Sequence, residues 1–284
     1  MNSNCYEFKK YSFDEGLLDK SVDATYIIHL KNNGRYKEIV SQIEKYKPTK
    51  TIYILFNEGF KKCKKSKHIN KSNLDLVDAN FQIFQHAEKE KYKNILILED
   101  DFGFNENIKE QNVINSLNTF LKDNQNDELI YCLGIIPIIQ IQMFDDHNML
   151  LKSGGCHANI YTEKIRKTLM NDIDKIEDID IYLNKSCFLL KRYCYYTPLC
   201  YQLFPETENQ HNWQDSFSMR LAKKIIKLIK LDKQREPGYT ITYILSKIFF
   251  FLFLFFFIFI FYILYNNLYL RIPVKNMLVS KVRH

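Results

Sequence analysis

Between Ile248 and Tyr265 the chain reads IFFFLFLFFFIFIFYILY, with no charged residue and no polar stripe. A helix of this length, at a rise of ~1.5 Å per residue, reaches ~27 Å, close to the ~30 Å hydrocarbon core of a bilayer. Each Phe, Leu or Ile favours insertion by about 0.3–0.6 kcal/mol, so the run contributes on the order of 5–10 kcal/mol. Lys247 costs ~3 kcal/mol at a bilayer centre, but at the edge its stem lets the ammonium reach the headgroups. With no polar face, the segment reads as a membrane span and not as a core helix. The chain is therefore expected to be single-pass, with a transmembrane helix over 241–265 and a short tail over 266–284.

Lysines and arginines set the expected orientation. Arg220, Lys223, Lys224, Lys227, Lys230, Lys233 and Arg235 precede the span, and Arg271, Lys275, Lys281 and Arg283 follow it. The positive-inside rule then places the soluble part in the cytosol. Seven cysteines, an odd number, include no C-x-x-C pair. Neither a zinc site nor a disulfide framework is expected, and a reducing compartment is. The N-terminus MNSNCYEFKK has no apolar h-region, so no signal peptide is expected. The N-x-S sequons at Asn70 and Asn184 read as chance occurrences in a cytosolic domain.

The net charge of +7 is local in origin. Part of it lies in KKCKKSK around Cys63, which lacks the interleaved aromatics of a nucleic-acid surface, so no nucleic acid partner is expected. Another part lies in a basic amphipathic segment over 214–240, where Phe217, Leu221, Ile225 and Leu228 fall near one helical face. That pattern suits a helix on an anionic leaflet, or one packed on the domain.

Residues 1–20 read as a polar extension and 21–213 as the folded domain. Within it, Ala24–Leu30, Thr51–Phe56 and Ile95–Leu98 read as strands. The helical patterns between them carry Ile39, Val40 and Ile43, then Phe81, Phe84 and Ala87, with Asp75 as a candidate cap. Strand, helix, strand, helix, strand implies a parallel sheet with helices on its faces. Further strands are expected at Glu128–Gly134 and Gly154–Thr162, and a short one in KRYCYY.

The third of these strands runs straight into three carboxylates, Glu99, Asp100 and Asp101. They leave the C-terminal end of a parallel strand, where open α/β sheets bind ligands. Alternate residues of an extended chain share a face, so Glu99 and Asp101 are a candidate pair for Mn²⁺ or Mg²⁺. A loop of solvated or helix-capping acids is the plainer alternative.

The ordered blocks YIIHL with Arg35, HAEKEKYKNILILEDDFGF, LIYCLG, GGCHANIYTEKIRKTL, DIDIYL and YYTPLCYQ resemble glycosyltransferase family 25, from about Ala24 to Gln202. The resemblance implies a GT-A fold, Rossmann-like and mostly parallel with helices on both faces. It implies transfer of a hexose, with inversion, from a nucleoside diphosphate sugar to a glycan, lipid or protein acceptor, usually with Mn²⁺. On that resemblance Glu99 and Asp101 are metal ligands. Arg35, Asp100 and His157 are donor-binding, with Gly155 and Ala158 in the same block as His157. Asp180 is the catalytic base, a carboxylate that takes the acceptor's proton. Departures stand beside these matches. Ala79-Asn80 occupies the place of a serine-histidine pair, only Arg35 remains of an arginine cluster, and His211 is a guess at a third metal ligand. A degenerate transferase fold acting as a tethered binding protein is the alternative function, and a two-carboxylate glycosidase is a third.

Overall fold

The structure, a computed structural model, describes residues 5–142, 145–185, 190–202 and 217–269. The five elements read between Ala24 and Glu99 are all present. Strand β2 (Ala24–Leu30), helix α1 (Tyr36–Tyr46), β3 (Thr51–Asn57), α2 (Ser72–Lys89) and β4 (Asn94–Glu99) follow in order, with β2 parallel to both β3 and β4. Apolar alternation explains their burial on two faces. Tyr26, Ile28, Ile95 and Ile97 join one core with Phe81 and Phe84 of α2, while Ile27, Leu96 and Leu98 join the other with Ile39 and Ile43 of α1. Such strands have no solvent face, which is why they read as unbroken apolar runs. Asp75 is not a cap. It lies inside α2, buried, where it pairs with Lys65 and accepts from Asn57 Nδ2 at 3.1 Å.

The extension does not exist as such. Tyr6–Ser12 forms β1, an edge strand antiparallel to β3 along its whole length. Its aromatics Tyr6 and Phe8 pack on the core while Lys9 and Lys10 belong to the open edge, a placement that discourages further pairing.

Beyond β4 come β5 (Phe102–Phe104), α3 (Gln111–Asp123), β6 (Leu129–Ile141), β7 (His147–Thr162), α4 (Glu163–Asn171), α5 (Ile179–Lys185), β8 (Lys191–Tyr195) and β9 (Cys200–Gln202). The main sheet has the order β1-β3-β2-β4-β7-β6-β8, and β5 pairs with β9 apart from it. The sheet is mixed, not mostly parallel: β7 runs antiparallel to β4, β6 and β8. The cause is the long β6–β7 hairpin. Its register shifts at Gly134 and Pro137, and Gly155 has φ +69°, so its sequence reads as short pieces when it is one bent ribbon.

Two helices end the described chain, α6 (Phe217–Leu228) and α7 (Gly238–Tyr269). In α6, Ile226 packs on the core while Ile225 and Leu228 are exposed. Helix α7 is long and apolar enough to cross a membrane, and none of its most apolar window is buried. Its first turns behave differently. Tyr239, Thr242, Tyr243 and Ser246 are buried against the domain, and Gln140 of β6 donates to the Tyr243 carbonyl at 2.9 Å and to Ser246 Oγ at 2.8 Å. The helix thus begins inside the fold, ahead of the boundary at 241.

Candidate active site

Glu99 ends β4 opposite Ile28 of β2, and the next two residues turn the chain into β5. The loop after β2 curls back over this edge because Asn32 and Gly34 hold positive φ, 67° and 82°. Gly has no Cβ to clash there, and Asn tolerates the region better than most residues. The curl delivers Asn33 and Arg35 to the acidic turn.

Asp100 is the best-satisfied acid of the three. It accepts from the Leu30 amide at 3.1 Å, from Asn33 Nδ2, and from Arg35 Nη1 at 2.6 Å, with His29 Nδ1 at 3.3 Å. Burial by itself would raise its carboxyl. The His29 contact, the Arg35 charge and the Leu30 amide outweigh that and hold it below the ordinary carboxylate range. Its oxygens are committed to fixing the loop and Arg35.

Glu99 and Asp101 face another way. Gln202 Nε2 donates to Glu99 Oε2 at 3.3 Å and to Asp101 Oδ1 at 2.9 Å, so the two carboxylates converge on one point. Arg35 Nη1 stands 3.2 Å from Asp101 Oδ2. Burial, with the charges of Asp101, Asp180 and Asp100, pushes the Glu99 carboxyl well above its usual value. Burial raises Asp101 as well; Arg35 pulls against this, and Asp100 adds to it. Two converging carboxylates, with Arg35 beside Asp101 alone, form an electron-rich site that a divalent cation would relieve. Their hard oxygens fit Mn²⁺ or Mg²⁺ as part of a shell completed by water and substrate oxygens. Among the described residues no group of three or more His, Cys, Asp or Glu side chains forms a fuller metal site.

Asp180 lies in the first turn of α5, and its Oδ2 accepts from the Gly155 amide at 2.8 Å. Its charge acts on Glu99, so the structure brings together Arg35, Glu99, Asp100, Asp101 and Asp180. His157 is set apart in the interior. Its Nδ1 faces the Gly155 carbonyl at 2.7 Å, its ring meets Tyr239 edge-on, and burial lowers its pKa to about 4. The substituted pair Ala79-Asn80 is buried, and Asn80 donates back to Leu76 of its own helix at 2.9 Å. His211 lies outside the described residues.

Sequence reasoning missed four participants. His29 and Asn33 serve Asp100, and Gln202 bridges the acid pair. Tyr239 then fixes Gln202: its hydroxyl accepts from the Gln202 amide at 2.8 Å and donates to the Gln202 carbonyl at 3.1 Å. Two left a trace as members of quoted blocks, His29 in YIIHL and Gln202 at the end of PLCYQ. Arg235 adds a second cation near β5, packed so closely on Gly103 that a Cβ there would lie 2.6 Å from its Nη1.

No family model matches the chain, and no curated protein matches it. Among solved structures, the chain is similar to A197 from STIV, at 9% identity over 64% of this chain and 85% of that one, with a TM-score of 0.42. A likeness at that level says nothing of activity.

Proposed function

We propose that the chain is a membrane-anchored, metal-dependent inverting glycosyltransferase of GT-A type, moving a hexose from a nucleoside diphosphate sugar to a glycan, lipid or protein acceptor. The observation that carries this is the convergence of Glu99 and Asp101 on one point, at the C-terminal edge of three parallel strands. The family 25 resemblance supplies the substrate class. A Mn²⁺ or Mg²⁺ ion held by Glu99 and Asp101 would, when bound, neutralise the donor's diphosphate. The chain's own groups do the rest. Arg35, steered by Asp100, presents its guanidinium to the same anion. Asp180, oriented by the Gly155 amide, takes the proton of the acceptor hydroxyl. Which face of the membrane carries the domain rests on groups outside this site, Cys5, Cys63 and Asn70.

Calorimetric titration of a nucleoside diphosphate, with Mn²⁺ and then with chelator, tests the reading. The wild type is expected to lose about tenfold or more in affinity when the ion is removed, because sites of this kind borrow substrate oxygens. Asp101→Asn should abolish most of that difference, and Asp100→Asn should abolish less. Equal affinity in chelator would remove the metal from the site. A second reading has its own observation: the Gln202 amide already satisfies both carboxylates, as it would in a degenerate fold kept for binding alone. Nucleotide binding indifferent to Mn²⁺, with no diphosphate released from a panel of nucleotide sugars, is the result that favours it.

A further inference from the structure

Cys5 and Cys63 form a disulfide across 58 residues, with Cα atoms 5.7 Å apart, well inside the span such bridges need. The sequence reading expected none. Odd cysteine number and absence of a C-x-x-C pair say nothing about two cysteines that folding brings together. The bridge ties the start of β1 to the loop between β3 and α2. Lys65 pins the same loop a second time, donating to Asn57 Oδ1 at 2.7 Å and to Tyr6 Oη at 2.5 Å. Cys132, Cys194 and Cys200 are buried thiols. Burial pushes Cys132 and Cys200 up to about 12, which keeps them inert. Of the bridged pair, Cys63 sits among lysines on the β3–α2 loop and Cys5 is buried beside it at the start of β1, and structural bridges persist in oxidising compartments and not in the cytosol.

The charge rule does not oppose this once its range is respected. It counts residues within about 15–20 of the span's ends. With Tyr239, Thr242, Tyr243 and Ser246 of α7 buried in the domain, the apolar span is counted from Ile248 and not from 241. From 228 to 247 the basic residues are Lys230, Lys233, Arg235 and Lys247, and from 266 to 284 they are Arg271, Lys275, Lys281 and Arg283. The two sides balance.

The segment between β3 and α2 that the bridge tethers carries Asn70-Lys71-Ser72. Asn70 is exposed, two residues before the start of α2. The other sequon differs. Asn184 Oδ1 accepts from the Ser153 amide at 3.1 Å and its Nδ2 donates to the Ser153 carbonyl at 2.6 Å, so a sugar on Nδ2 would displace part of the fold.

We propose that the folded domain faces an oxidising compartment and that Asn70 is an attachment site for an N-linked glycan. Bridge formation takes one proton from each thiol and passes two electrons to an exchanging protein disulfide, which leaves as a dithiol. At Asn70 the amide nitrogen bonds to the anomeric carbon of an oligosaccharide. The bond from that carbon to its lipid diphosphate carrier breaks, the carrier keeps the electron pair, and the amide proton goes to a base of the transferring enzyme.

The test uses the full chain made in cells with a secretory pathway, recovered as sealed microsomes. The expected result has three parts. Residues before α7 resist added protease until detergent opens the vesicles. Glycan-removing amidase shifts the wild type and Ser186→Ala on a gel by one glycan but leaves Asn70→Gln unmoved. Maleimide labelling of the denatured wild type gains two thiols on reduction that a Cys5→Ser, Cys63→Ser chain does not gain. Digestion of the domain in intact vesicles, with every thiol labelled before reduction, would overturn the topology. A protected domain with no amidase shift would overturn the assignment of Asn70.

Discussion

His157 shows how a single buried side chain writes itself into the pH response of the whole fold. In the folded chain its pKa is about 4, against about 6.5 when unfolded. A group whose folded pKa is depressed stabilises the fold above its unfolded value, and that stability is lost as pH falls through the folded one. Between about pH 6.5 and 4 the wild type should therefore lose about 3 kcal/mol from this residue alone. Glu99 and Asp101 act in the opposite sense. Their folded pKa values are raised, so their contribution is present at low pH and lost as pH rises. Only a difference measurement separates the two effects. Denaturant curves for wild type and His157→Asn, taken across that window, should converge as pH falls, because the variant has no imidazole to protonate. Parallel curves would mean that the histidine does not control this range.

The glycines of the β6–β7 ribbon are not equivalent, and their difference is a matter of what lies opposite each. A Cβ on Gly134 would collide with His157 Nε2 and stand 2.8 Å from the Cys200 carbonyl, whereas one on Gly154 would meet nothing within 4 Å. Gly134→Ala should cost ~2 kcal/mol or more through overpacking against backbone, and Gly154→Ala should stay near neutral. Equal thermal midpoints for the two variants would refute this. The same ribbon marks the limit of what the sequence discloses. β2, β3 and β4 are legible because unbroken aliphatic runs have few alternatives, and α1 and α2 because their apolar residues recur at helical spacing. β6 and β7 were foreshortened because Gly134, Pro137 and Gly154 punctuate them, and only pairing shows them as continuous. β1 hid because Tyr6, Phe8 and Tyr11 stand among lysines. At the site, the acid run was plain from the residues. Its organisation was not, since the donors come from the β2 loop, from β9 and from α7, brought near only by the sheet.

For the whole molecule, helix α7 cannot be treated as a detachable anchor. Tyr239 and Tyr243 are buried in the domain's core, and losing their helix would take from Gln140 Nε2 and the Gln202 backbone the partners they have on α7. Removing two buried aromatics costs ~3–5 kcal/mol each, comparable to the entire stability of many domains. A chain ended at Lys247 is expected to fold and unfold cooperatively in solution, and one ended at Pro237 to aggregate or melt without a transition. Two equally stable fragments would show that the buried turns are dispensable.

An unbroken helix is also a measuring rod. From Tyr239, which grips Gln202 at the acid pair, to Ile248, where the unbroken apolar run begins, there are nine residues, or ~14 Å of axial rise. One headgroup layer is ~5–8 Å thick. On the proposed membrane-anchored reading, the acid-pair edge is thus held within about two headgroup thicknesses of the hydrocarbon boundary, on a strut with no flexible linker to lift it. If the proposed function holds, an acceptor rooted in the bilayer has to project only a short way to be reached, whereas a bulky soluble one must come down to the lipid surface to find the same groups.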